Sequence, residues 1–319
     1  MLELSSNQLT SIKSATFDGL TNLKNLSLNF NNLTAFNSRA FSELTNLIAL
    51  DLSSNLIASI ESGAFSGLVN LITLSLDKNR IGVIQSGAFT GLTRLNTLSL
   101  SKNFLTSLGP NTFIGLDILN RLELSLNEIA SIDSSAFNGL SNLNVLDLSF
   151  NKITSVDKVP LSGLKNLNTL FLDVNQIASI DSGAFSSLSN LNRLDLASNQ
   201  IVSIGSGAFS GLNNLKTLEL YGNQIDSIKP ATFSGLTNLN TLFLDYNNIN
   251  SIEEGAFNSL TALQYLGLPH NNIISVPPTI FLGLINLQTV DIRFDPIYIK
   301  AGQPYLQSLC DPNPNCKVV

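Results

Sequence analysis

Residues 23–33 read LKNLSLNFNNL and fit the pattern LxxLxLxxNxL, with Leu23, Leu26, Leu28 and Leu33 at the apolar places and Asn31 at the polar one. The asparagine returns at Asn7, Asn55, Asn79, Asn103, Asn127, Asn151, Asn175, Asn199, Asn223, Asn247 and Asn271, and Asp295 stands where the next is due. Every step is 24 residues. A register kept this long means one supersecondary unit stacked many times, each copy leaning on its neighbours. Within the unit Leu26 and Leu28 alternate with Asn25, Ser27 and Asn29, so a short strand sends its leucines inward and the residues between them outward. Such strands pair in parallel about 4.8 Å apart, and thirteen of them are expected to form one continuous sheet. The asparagine marks the exit from the strand, where a carboxamide offers both a donor and an acceptor to turn backbone. Asp295, when ionised, can only accept.

The remainder of each unit returns along the opposite side. After Asn55 come Ile57, Ile60, Phe65 and Leu68, and the same offsets give Ile81, Ile84, Phe89 and Leu92, then Leu105, Leu108, Phe113 and Leu116. These are core positions, and Phe17, Phe41, Phe65, Phe89, Phe113 and Phe137 are expected to stack in a buried column. Ordering the backbone of one unit costs more than that unit's apolar burial returns, so a unit folds only against neighbours. Bulky return segments behind closely spaced strands favour a curved ribbon with the strands on its concave face. At 158–164 the return segment reads KVPLSGL, with Pro160 and Leu161 in the places of Ala and Phe, which interrupts the Phe column once.

On this motif and its spacing the chain resembles the leucine-rich repeat family, in the longer-repeat form of Toll-like receptor ectodomains, variable lymphocyte receptors and small leucine-rich proteoglycans. The resemblance implies an α/β-type solenoid, a horseshoe with a continuous parallel β-sheet on the concave face and irregular or short-helical return segments on the convex face. Residues 1–297 form the solenoid, about thirteen repeats with the first truncated, and 298–319 a C-terminal cap. By the same analogy the protein is secreted or on the cell surface.

Composition limits the function classes. The chain is 44% hydrophobic and only 13% charged, with a net charge of -6. No basic run or stripe offers itself to nucleic acid or to an anionic membrane, and no apolar run approaches the ~20 residues of a membrane span. Met1-Leu2-Glu3-Leu4 is no signal peptide; it enters directly into a strand, so the first repeat is read as trimmed, the alternative being self-association through its uncapped end. His270 is the single histidine, which leaves no imidazole partner for a metal set. Serines recur as spacers and supply no nucleophile with a base and an orienting group. No catalysis, cofactor or metal is expected.

The residues that vary between repeats carry what is specific. The outward column between the strand leucines runs Glu3, Ser27, Asp51, Ser75, Ser99, Glu123, Asp147, Phe171, Asp195, Glu219, Phe243, Gly267, Asp291, and the next runs Ser5, Asn29, Ser53, Asp77, Ser101, Ser125, Ser149, Asp173, Ala197, Tyr221, Asp245, Pro269, Arg293. Early repeats are small and polar. From Phe171 onward the face carries Asp173, Arg193, Asp195, Glu219, Tyr221, Phe243, Asp245, Tyr246, Tyr265 and His270. Outward rings on a rigid ribbon are the anchors that protein interfaces use, and the reading is a recognition module that binds a protein or peptide on the concave face. Rings that only cover one another on the sheet are the competing reading, as is a structural or adhesive protein working through many weak contacts. Tyr221 and Phe243 are expected to matter for binding, and Ser75 and Ser99 to be dispensable.

The tail after Asp295-Pro296 leaves the pattern. Cys310 and Cys316 flank the turn-rich Asp311-Pro312-Asn313-Pro314 and are the only two cysteines; they are expected to close a small loop as a disulfide, the alternative being free thiols in a reducing compartment. Two glycosylation sequons begin at Asn25 and Asn32.

Overall fold

The computed structural model describes residues 1–36, 39–301, 303–311 and 313–319. Pro312, part of the expected terminal turn, lies outside them. The chain falls into two compact units, residues 1–153 with 158–167, and residues 154–157 with 168–319. Each is a solenoid with the same internal construction.

In the first unit the strands Leu2–Glu3, Asn25–Ser27, Ala49–Asp51, Thr73–Ser75, Thr97–Ser99, Arg121–Glu123 and Val145–Asp147 pair in parallel, each with the next. In the second unit Thr169–Phe171, Arg193–Asp195, Thr217–Glu219, Thr241–Phe243, Tyr265–Gly267 and Thr289–Asp291 do the same. Partners in these ladders stand one repeat apart, for example Leu218 with Leu242. One strand lies beyond the sequence reading: Lys317–Val318 continues the second ladder by pairing with Thr289 and Val290. Shorter parallel pairs run through the return segments, Ser59–Ile60 with Val83–Ile84 and Ser179–Ile180 with Ser203–Ile204 among them.

Apart from the half-buried Leu2, Leu4, Leu9 and Leu23, the leucines of the pattern are buried, and behind them the rings of Phe17, Phe41, Phe65, Phe89, Phe113 and Phe137 stack with centroids 5.9 to 6.4 Å apart, as expected. In the second unit Phe185, Phe209, Phe233, Phe257 and Phe281 repeat the arrangement. The irregular segment contains two 3-10 helices, Val156–Lys158 and Leu161–Gly163, and Leu161 is buried in place of a ring. The only α-helices among the described residues are two short ones at the C-terminus, α1 (Pro296–Ala301) and α2 (Gln303–Ser308).

Inside each unit the ladder asparagines tie two repeats together, whereas Asn7, in the first repeat, donates to the Leu4 and Ser5 carbonyls of its own. The Asn127 amide donates to the Leu124 carbonyl of its own repeat at 3.0 Å and to Leu100 of the repeat before at 3.1 Å, while its Oδ1 accepts from Leu105 N–H at 3.1 Å. Those backbone groups are buried and have no strand partner, so the carboxamide avoids a desolvation cost of about 1–3 kcal/mol for each. A second asparagine ladder runs on the exposed return side, with Asn70, Asn142, Asn214, Asn238 and Asn286 each donating to a carbonyl of the repeat before at 2.8 to 2.9 Å.

Immediately before each ladder asparagine the chain takes a left-handed corner. In the second unit Val174, Ser198, Gly222, Tyr246, His270 and Phe294 all lie between φ +51° and +69°. For the non-glycine residues this conformation costs on the order of 1–2 kcal/mol. Corner N–H groups recover it by bonding to the next repeat, as in Ser198 to the Tyr221 carbonyl at 2.8 Å and Tyr246 to the Pro269 carbonyl at 3.0 Å.

Candidate functional site

The ligand-facing residues read from the sequence all fall in the second unit, on or beside its strands. The repeat step brings Phe171 beside Asp195, Asp195 beside Glu219, and Glu219 beside Phe243 in the ladder. At one end the Arg193 guanidinium carbon sits 5.2 Å from the Phe171 ring centroid, and its Nη2 pairs with Glu219 Oε1 at 2.7 Å and with Asp195 Oδ2 at 3.5 Å. At the other, the rings of Phe243 and Tyr265 meet at 5.4 Å, tilted by 49°. The Asp245 carboxylate and the Tyr265 ring lean over Gly267, where an added Cβ would come within 2.9 Å of Asp245 Oδ1 and 3.1 Å of the Tyr265 edge. Glycine is what permits that approach.

Not every outward position is open. Asp195 is buried, and its Oδ1 accepts the Ala197 N–H at 3.1 Å. Asp51, Asp147 and Asp291 make the same bond to the N–H two residues on, at 2.9 to 3.2 Å. An aspartate in this column therefore braces the turn out of its own strand, and Asp195 supports the surface from beneath it. Ser99, expected to be dispensable, is also buried: its hydroxyl contacts Asp77 Oδ1 and, at 2.6 Å, Glu123 Oε2. Burial pushes the Asp77 carboxyl up, while the Ser99 hydroxyl and the Ser101 N–H pull it the other way.

Burial is the first cause of every shift in the second unit's patch. It pushes up the Glu219 carboxyl, with the Asp195 charge adding to it and Arg193 opposing. The Tyr221 phenol moves the same way, by burial and then by the charges of Asp195, Glu219 and Asp173. Asp245 is raised by burial, and Tyr265 by burial and then by Asp291.

Tyr246 and His270 occupy successive corners and stack face to face, centroids 4.3 Å apart and planes within 12°. Phe294 continues the stack at 4.4 Å and 10°. It is a ring that sequence reading missed, although two repeat steps along the corner column from Tyr246 reach it. Tyr246 is 60% and Phe294 64% exposed.

The sequon asparagines Asn25 and Asn32 are exposed, Asn25 at the start of a strand in the first unit. Cys310 and Cys316 form a disulfide. The Asn313 amide reaches the Leu287 carbonyl at 2.8 Å, and Gln307 donates to the Cys316 carbonyl at 2.8 Å, so the closed loop seats the last strand. Among the described residues no helix is long and apolar enough to cross a membrane.

Among solved structures the chain is similar to a Leptospira interrogans LRR protein, at 29% identity and TM-score 0.80 over 98% of this chain and 76% of that one. It is similar to TLR13 in a complex with ssRNA13, at 27% identity and TM-score 0.80 over 98% of this chain and 49% of that one. The Toll–Spatzle complex of Drosophila matches at 25% identity and TM-score 0.73 over 92% of this chain and 44% of that one. The chain thus spans less than half the length of the TLR13 and Toll chains. No curated protein matches the sequence. The family described as Leucine rich repeat matches residues 1–57, 21–81, 70–129, 118–177, 166–225 and 214–273. With the constant repeat register, the parallel ladders and the asparagine corners, these matches show that the chain belongs to the leucine-rich repeat family.

Proposed function

We propose that the protein is a recognition module that binds a protein or peptide ligand on the outward face of the strands in its second unit, the face expected from the sequence to be concave. The leucine-rich repeat fold is commonly a protein-binding module, and such proteins are generally non-enzymatic scaffolds. The observation that carries the proposal is the concentration of outward rings on neighbouring strands: Phe171 beneath Arg193, Tyr221, the Phe243–Tyr265 pair and the Tyr246–His270 stack. The Toll–Spatzle structure is a protein complex and the TLR13 structure an RNA complex; here carboxylates dominate the face, which favours a protein partner over an RNA. The Cys310–Cys316 disulfide supports an oxidising, extracellular setting, in which Asn25 and Asn32 are candidate glycan acceptors.

The test is a pull-down from the protein's native fluid followed by affinity measurement with the captured partner. Tyr221→Ala with Phe243→Ala is expected to weaken binding at least about ten-fold, as loss of two interface anchors does, with little change in melting temperature. Ser75→Ala should change neither. Normal binding by the double variant would place the surface elsewhere, and its unfolding would assign the rings to packing.

A further inference from the structure

The stack of Tyr246, His270 and Phe294 is open at one end. Rings 4.3 Å apart and 12° from parallel meet face to face, so the other face of Tyr246 looks along the ladder toward the repeat before it. The corner residue there is Gly222. No ring among the described residues stacks on that side, and Tyr246 is mostly exposed. The space beside it is therefore one repeat deep and bounded by the Tyr246 ring, the Gly222 backbone and the Ser198 hydroxyl, which would lie 3.2 Å from a Cβ placed on Gly222. The platform is rigid before any ligand arrives: the corners are held by Gly222 N–H to Asp245 O at 2.9 Å, Tyr246 N–H to Pro269 O at 3.0 Å and His270 N–H to Arg293 O at 3.2 Å.

A planar group of about ring thickness fits such a space, and the charges around it choose which. Residues of the strands and corners from Phe171 to Phe294 include the outward carboxylates Asp173, Glu219 and Asp245 and the buried ones Asp195 and Asp291, against two guanidinium groups, Arg193 and Arg293. Both guanidinium groups are already paired, Arg193 with Glu219 and Asp195, and Arg293 with Asp291. A flat cation is attracted by the ring face and by the surplus carboxylates together. A nucleobase would stack equally well but would bring its phosphates into a negative field. A lysine ammonium carries the charge without the plane.

We propose that the open face of Tyr246 over Gly222 is a receptacle for an arginine side chain of a basic partner segment. This deepens the strand-face reading, on which it rests, by naming the chemistry of the partner.

The experiment measures binding of a hexa-arginine and a hexa-lysine peptide to the full chain by calorimetry, with an oligouridylate as a third probe. The arginine peptide is expected to bind at least about ten-fold more tightly than the lysine peptide, and the RNA not at all. Gly222→Phe plugs the space by adding a fourth ring to the stack. Phe30, Phe150 and Phe294 already occupy the same left-handed corner in other repeats, so the backbone accepts the change. That variant should lose the arginine preference, and Gly222→Ser, which copies the corner at Ser198, should keep it. Circular dichroism confirms that each variant folds. Equal binding of the two peptides, tighter binding of the RNA, or an arginine preference that survives Gly222→Phe overturns the receptacle. None of these outcomes bears on whether Tyr221 and Phe243 contact the natural partner, so the two proposals fail separately.

Discussion

Asp295 occupies an asparagine's place without an asparagine's donor. It is fully buried, its Oδ1 accepts the Ile273 N–H at 3.0 Å, and its Oδ2 has no hydrogen-bond partner. Burial raises its pKa from 3.8 to about 6. Folded protein thus holds the proton more tightly than unfolded protein does. The protonated form is the better fit, so this group's stabilising contribution is full below about pH 4, falls as pH rises through 6, and is then gone. Asp295→Asn installs a permanent neutral donor. It is expected to stabilise the protein by about 1–2 kcal/mol at pH 7.5 and by much less at pH 4, read from urea midpoints at the two pH values. An equal gain at both would show that Asp295 does not titrate as described.

At the scale of the element, the return segment joins its backbone turns and short strand pairs to a buried ring. Phe113 is fully buried between Phe89 and Phe137, with centroids 5.9 and 6.2 Å away. Phe113→Ala should cost about 3–5 kcal/mol, because stacked neighbours on both sides cannot close the cavity. Phe104 is 54% exposed, and Phe104→Ala should change the urea midpoint little. If the two substitutions cost the same, the ring column is not what holds the return segments together. The constant register foretold the buried column, since ring and strand share one period. It gave no sign of Lys317–Val318, because that strand pairs with its neighbour outside the period, Lys317 with Thr289, where the repeat step from Thr289 would reach Asn313 instead.

In the whole molecule, stability is passed between neighbouring repeats, so an end repeat with one neighbour depends on its cap. The Cys310–Cys316 loop holds Lys317–Val318 against Thr289–Asp291, aided by Lys317 N–H to Gln288 O and Val319 N–H to Val290 O, both at 2.9 Å. Reduction should release this strand. Hydrogen exchange after mild reduction is expected to speed up at residues 289–291 and 317–319 and to leave the first unit's strands unchanged. Uniform acceleration along the chain would instead show a single cooperative unit.

Much was decided by sequence alone, because a repeat writes its contacts at a fixed distance along the chain. The parallel ladders, the Phe columns and the asparagine corners all follow from the repeat step, and so does the adjacency of Glu219 and Phe243. Only the tertiary structure decided which outward positions are open. Asp195 and Asp245 both read from the sequence as ligand-facing carboxylates. Yet Asp195 is buried against its own turn, while Asp245 leans over Gly267. The open face of Tyr246 likewise depends on what stands one repeat away, where the missing side chain of Gly222 leaves space. Periodicity sets where a side chain starts, whereas rotamer, hydrogen bonding and the bulk of adjacent repeats set where it ends, and those depend on several repeats at once.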